Sequence, residues 1–143
     1  MKKIALVIIF IFSINTNAQN EEVKHTVETF FEGFQHRDTL LLHQVCADKM
    51  ILQSIEENVN GNSLTEEPLH FFYRSVASTP KDLIFREQLL SFTIQVDGSM
   101  AHAWTPYVFF VNGKLSHKGV NAFTLFKEKD RWKIVYIIDT RRK

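Results

Sequence analysis

The residues of this chain best suited to chemistry lie toward its C-terminus: His102, Trp104, His117, Asn121, Tyr136 and Asp139. Imidazoles can take or give a proton near neutral pH, and an amide, a phenol or an indole can orient a polar group beside them. Whether these side chains meet depends on strand register. Two hairpin signals, Asp97-Gly98 and Asn112-Gly113, separate runs rich in β-branched and aromatic residues. Such pairs supply the positive φ angles that tight hairpin turns need. With each pair as a two-residue loop, Thr93 faces His102, Ser91 and Asn121 face Trp104, Phe123 faces His102, and Val108 faces His117.

Side chains directly opposite share a face. One face is therefore expected to carry Ser91, Thr93, His102, Trp104, Val108, Phe110, Leu115, His117, Asn121, Phe123 and Leu125. If the last turn spans Glu128 to Arg131, then Trp132, Ile134, Tyr136 and Ile138 join it. Ala101, Ala103, Thr105, Tyr107 and Phe109 fall on the other face. So does Asp139, although a slip of one residue would bring it inward. On this register the site face holds no carboxylate. His117 is then the candidate catalytic base, with Asn121 and Tyr136 orienting a substrate and Trp104 and His102 lining the pocket.

Other chemistries find little support. The six histidines, His25, His36, His43, His70, His102 and His117, show neither an HExxH pattern nor a paired Cys/His spacing, so no metal site is expected. Neither a P-loop nor a G-x-G-x-x-G is present, and no cofactor is expected. Cys46 is the only cysteine, which excludes an intramolecular disulfide, and its apolar surroundings suit a small buried side chain better than a nucleophile.

The elements that would position the site follow from periodicity. Val23, Val27, Phe30, Phe31 and Phe34 form the apolar stripe of a first helix. Asp38 stands at the N-cap position of a short second helix carrying Leu40, Leu41, Leu42 and Val45. Met50 to Ile55 reads as a short strand and Glu56 to Asn62 as a polar turn. Ser63 and Glu66 have capping-box spacing ahead of a third helix with Leu69, Phe72, Tyr73 and Val76, and Pro68 suits its first turn. Four strands then follow, Leu83 to Val96, Ser99 to Val111, Lys114 to Lys127 and Trp132 to Asp139, as an antiparallel meander. Helical and then alternating periodicity is the pattern of an α+β domain.

Residues 1 to 18 read as a secretory signal peptide: Lys2 and Lys3, an apolar run from Ile4 to Ile14, then Thr16 and Ala18 at the peptidase positions. The run is too short for the roughly 20 residues that span a bilayer. Removing 18 of 143 residues leaves one domain, residues 19 to 143, expected to be exported to the periplasm or beyond and free of the membrane. The mature chain would hold 15 Lys and Arg against 16 Asp and Glu, which gives no basic footprint for nucleic acid. Arg141-Arg142-Lys143 reads as a solvated tail.

Three helices ahead of a curved antiparallel sheet, ending in the strand Trp132-Lys133-Ile134-Val135, resemble the nuclear transport factor 2-like (NTF2-like), or SnoaL-like, superfamily. The stretch HAWTPYVFFVNGKLSHKGVNAFTLFKEKDRWKIVYIIDTRRK is similar to exported bacterial members often labelled lumazine-binding. The resemblance covers residues 21 to 143. It implies a cone-shaped, cystatin-like α+β fold with three N-terminal helices packed on the sheet, a pocket between the concave face and the first helix, and a homodimer. Relatives that act as isomerases or cyclases use a pocket carboxylate, and epoxide hydrolases an Asp-Arg-Asp trio. The expected face lacks both. Both sheet faces are apolar, so the one without helices is expected to pair with a second copy.

The leading expectation is an exported domain that binds a small aromatic or amphipathic molecule. A lyase or isomerase working through His117 is the alternative, and a non-catalytic interaction module the third reading. Intact-mass measurement of the exported protein is expected to give a chain beginning at Gln19, and a mass including residues 1 to 18 would contradict that leader.

Overall fold

The computed structural model describes the backbone of residues 2–143 and the side chains of residues 17–143. All but the last two residues of the expected leader lie outside the described side chains. Among the described residues, no helix is long and apolar enough to cross a membrane.

Helix α1 (Lys2–His36) lays the predicted stripe into the core, where Val23, Val27, Phe30 and Phe31 are buried. The chain turns at Arg37, whose φ is +60°, into α2 (Thr39–Val45). Asp38 caps α2 as its spacing predicted, its Oδ1 accepting from the Leu41 amide at 3.0 Å. Strand β1 (Cys46–Asn58) and strand β2 (Gly61–Glu67) form a long hairpin before α3 (Leu69–Ser78). Two helices, not three, therefore precede the sheet. Ser63 and Glu66 lie in β2 opposite Glu56 and Gln53, so the expected capping box is absent and Pro68 stands at the N-cap. The polar stretch read as a turn is mostly strand, with β1 running on to Asn58 and β2 starting at Gly61 after a two-residue loop.

The remaining strands are β3 (Phe85–Leu89), β4 (Thr93–Asp97), β5 (Met100–Val111), β6 (Lys114–Glu128) and β7 (Arg131–Arg141). The expected single strand Leu83 to Val96 is thus two, broken at residues 90–92. The sheet runs β2-β1-β7-β6-β5-β3, with β4 also pairing β5. All pairs are antiparallel except β1 with β7. The helices cover one face, and Phe123, Leu125, Trp132 and Ile134 meet them there. Glu22 of α1 fastens the helix to the sheet, accepting from Trp132 Nε1 at 3.2 Å and Lys127 Nζ at 2.9 Å. Cys46 is buried in this core, which pushes its thiol up to about 12 and leaves it inert.

Of three departures from the expected pairing, two decide which side chains face the helices. The turn after β4 places Asp97 opposite Met100, so Gly98 and Ser99 form the loop, two residues out of the expected register but with the same faces. Between β5 and β6 the pairing begins as predicted, Val111 with Lys114 and Phe110 with Leu115, and then jumps to Phe109 with His117. Ser116 is the unpaired residue of a bulge. Between β6 and β7, Leu125 pairs Ile134 but Thr124 pairs Tyr136, leaving Val135 as a second bulge. An extra residue in one strand exchanges the faces beyond it.

Phe123 lies edge-on to both Phe30 and Phe31 at 5.9 Å and is wholly buried. Phe123→Ala is expected to destabilise the fold by about 3–5 kcal/mol, read by urea unfolding. A loss under about 1 kcal/mol would contradict the helix-on-sheet packing, since only exposed sites are that tolerant.

Candidate functional site

The covered face of the sheet, helix α1 and helix α3 enclose a cavity of about 360 Å³. Its apolar wall is mostly aromatic: Phe30 and Phe34 from α1, Phe72 from α3, Phe85 from β3, Phe109 from β5 and Phe123 from β6. Strand alternation explains the set, because Phe85, Glu87 and Leu89 share a face with Phe109 and Tyr107 across the β3–β5 ladder. The polar end holds Glu87, Tyr107, His117, Asn121, Asp139 and Arg141.

The Ser116 bulge brings His117 and Asn121 onto the face of Thr105, Tyr107 and Phe109. It leaves His102 and Trp104 on the opposite, open face, where Trp104 is 47% exposed. Both were expected in the pocket, and neither lines it. The Val135 bulge does the same to β7. Trp132 and Ile134 are buried inward as expected, but Tyr136 and Ile138 turn outward, and Tyr136 donates to Gln53 Oε1 at 2.6 Å. Asp139 turns inward through that bulge rather than through a slip of the last turn.

Asp139 is tightly held. Its Oδ1 accepts from Ser54 Oγ at 2.5 Å, and its Oδ2 from Tyr107 OH at 3.2 Å and Arg141 Nε at 2.8 Å. Three donors, one of them cationic, fix the position of its two oxygens. Tyr107 also donates to the Thr140 carbonyl at 2.9 Å. It reaches that far because Gly119 lies opposite it: a Cβ there would sit 1.7 Å from the Thr140 oxygen. Burial first, then the neighbouring Asp139 and Glu87, raise the Tyr107 phenol and keep it a donor.

Glu87 is the carboxyl that periodicity did not assign to the face. Its Oε1 accepts from Asn121 Nδ2 at 2.6 Å, and the same amide nitrogen reaches Thr105 Oγ1 at 3.4 Å. Burial pushes its pKa up to about 8, reinforced by Asp139 and opposed by the Asn121 bond and Arg141. The signal for its position was the Phe85-Glu87-Leu89 alternation, which lies ahead of Ser91, where the expected face begins. The face thus carries two carboxylates and an arginine, where the expected register had none.

His117 does line the cavity. Its ring stacks on Phe109 at 4.8 Å, stands edge-on to Tyr107 at 5.8 Å, and has Nδ1 3.1 Å from Ser116 Oγ. Burial and then Arg141 lower its pKa, partly offset by Asp139, which favours the neutral ring. Among the described residues, no three His, Cys, Asp or Glu side chains come together to hold a metal ion.

This architecture is the nuclear transport factor 2-like, cystatin-like fold. A structure of an NTF2-like protein with a cystatin-like fold from Novosphingobium aromaticivorans matches with a TM-score of 0.70 and 13% identity, over 92% of this chain and 87% of that one. A candidate dehydratase of the NTF2-like family from Streptomyces avermitilis matches with a TM-score of 0.69 and 15% identity, over 90% and 99%. The association domain of Caenorhabditis elegans CaMKII matches with a TM-score of 0.66 and 15% identity, over 86% and 95%. No family model and no curated protein matches the sequence.

The raised Glu87 has a consequence for stability. The unfolded carboxyl loses its proton near the ordinary 4.5 and the folded one near 8. Between those values the folded state binds more protons, so this contribution is complete below the lower value and is lost as pH rises through the upper one. Glu87→Gln is expected to flatten the fall in urea stability from pH 5 to pH 9. An unchanged pH profile would contradict a raised Glu87.

Proposed function

We propose that this protein binds a small amphipathic molecule, its apolar body against the phenylalanines and its polar end at Glu87 and Asn121. The cavity carries this reading: about 360 Å³, walled by aromatic rings, with polar groups gathered at one end. That volume lies in the range of roughly 300–1,000 Å³ usual for small-molecule sites. Flat heteroaromatic compounds, the lumazine of the sequence resemblance among them, belong to the class it would take. An interaction module with a core filled by its own side chains fits less well, because the cavity is open.

A second reading, proton transfer in a lyase or isomerase, is favoured by one observation. Glu87, held near pH 8 beside a hydrogen-bonding amide, has the properties of a general acid or base working close to neutrality. In that reading Glu87 takes the place first given to His117, whose stacked ring would help form the wall.

We read the chain as exported, with residues 1 to 18 removed, and as a homodimer through the open sheet face. Trp104, Met100 and Phe126 are exposed there. Exposed aromatic and thioether side chains grouped on one face suit an interface. The protein of the same fold named as an association domain supports assembly as a use of this scaffold. Native mass spectrometry of the protein purified from its own host is expected to give a dimer with one small molecule per protomer. An empty cavity across preparations would contradict the binding reading, and a monomer at micromolar concentration would contradict the dimer.

A further inference from the structure

The polar end of the cavity holds one more carboxyl than it has cations to pair. Among the described residues its one cation, Arg141, is paired at 2.8 Å with Asp139, a carboxylate also bonded by Ser54 and Tyr107. Glu87 is the second carboxyl at this end, and His117 adds no positive charge in its neutral form. Glu87 Oε1 receives the Asn121 amide, while Oε2 takes no hydrogen bond among the described residues. No described Lys, Arg or His forms an ion pair with Glu87.

The groups facing Glu87 from each side are neutral or already engaged. Gln35 of α1 accepts from its backbone amide, Tyr107 comes from β5, Asn121 and His117 from β6, and the Asp139–Arg141 pair from β7. Around it are rings. Phe85 lies two residues before it on the same face, Phe109 is opposite it, and Phe85 is 5.0 Å from Phe34 and 6.2 Å from Phe109. Ring faces attract cations, and a carboxylate in a poorly solvated site is costly until a cation joins it.

We propose that the polar end receives a protonated amine, so that the ligand is an aromatic or amphipathic organic cation held between the Glu87 carboxylate and the phenylalanine rings. This rests on the cavity being a ligand site. A neutral head group would leave Glu87 protonated and without an ionic partner, and an anionic one would oppose its ionisation. The amine turns the partly buried acid into half of an ion pair. Glu87 releases its proton as the ammonium arrives, so binding carries a proton count that neutral ligands lack.

The test compares three probes with one ring system: 1-naphthylmethylamine, 1-naphthalenemethanol and 1-naphthoate. Each is titrated into the full mature protein at pH 7 by calorimetry, in two buffers of different ionisation enthalpy. The amine is expected to bind about tenfold more tightly than the alcohol, with the acid weakest and with protons released only for the amine. Glu87→Gln is expected to abolish the preference for the amine. Alcohol binding as tight as the amine, or amine binding without proton release, overturns the assignment, as does failure of all three. Nile red, a neutral apolar dye, reports separately whether the cavity takes a ligand at all, and its exclusion would overturn the cavity reading itself.

Discussion

Ser116 has no partner across the β5–β6 ladder, and the composition of the site depends on that one unpaired residue. Side chains alternate along a strand with a period of two, so an extra residue sends everything beyond it to the other face. Without the bulge, Asn121 would stand beside Trp104 on the open side. With it, Asn121 faces Thr105 and reaches Glu87 on a strand two places away. The bulge at Val135 repeats the operation on β7 and brings Asp139 and Arg141 to the same cavity end. Two local irregularities thus assemble a polar cluster on a face that is otherwise apolar.

Within the cluster the fold gives its two inner carboxyls opposite conditions. Asp139 accepts from a hydroxyl, a phenol and a guanidinium, and positions Tyr107 and Arg141. Glu87 accepts one amide and lies beside Phe85 and Phe109, so burial is the first influence on it, ahead of Asp139 and Arg141. The first is fully engaged by the fold, and the second keeps one oxygen without a partner among the described residues. Gly119 belongs to the same arrangement, since it lets Tyr107 lie across β6 to the backbone of β7.

The stripe of α1, the Asp38 cap, the two tight turns and the meander were legible because each rests on local chemistry: spacing on a helix, a side chain capping free amides, residues tolerant of positive φ. The resemblance drawn from the C-terminal run led to the fold that the solved structures share. The site was legible only in part. His117, Asn121 and Asp139 line the cavity, but His102, Trp104 and Tyr136 do not, and Glu87 was missed. Bulges cause this asymmetry. A residue that drops out of a ladder, as Ser116 and Val135 do, carries no compositional mark, yet it reverses every assignment beyond it. The β1–β2 hairpin was hidden for another reason: its second strand is exposed along its length, so no apolar alternation announces it.

The convergence of Glu87, Asn121 and Thr105 is the central claim, and proton–proton contacts in solution test it most directly. A nuclear Overhauser spectrum of the uniformly labelled protein should connect the Asn121 side-chain amide protons to the Glu87 methylenes and the Thr105 methyl group. Contacts from that amide to the Trp104 indole instead would mean that the strand runs without its bulge, and the site described would not exist.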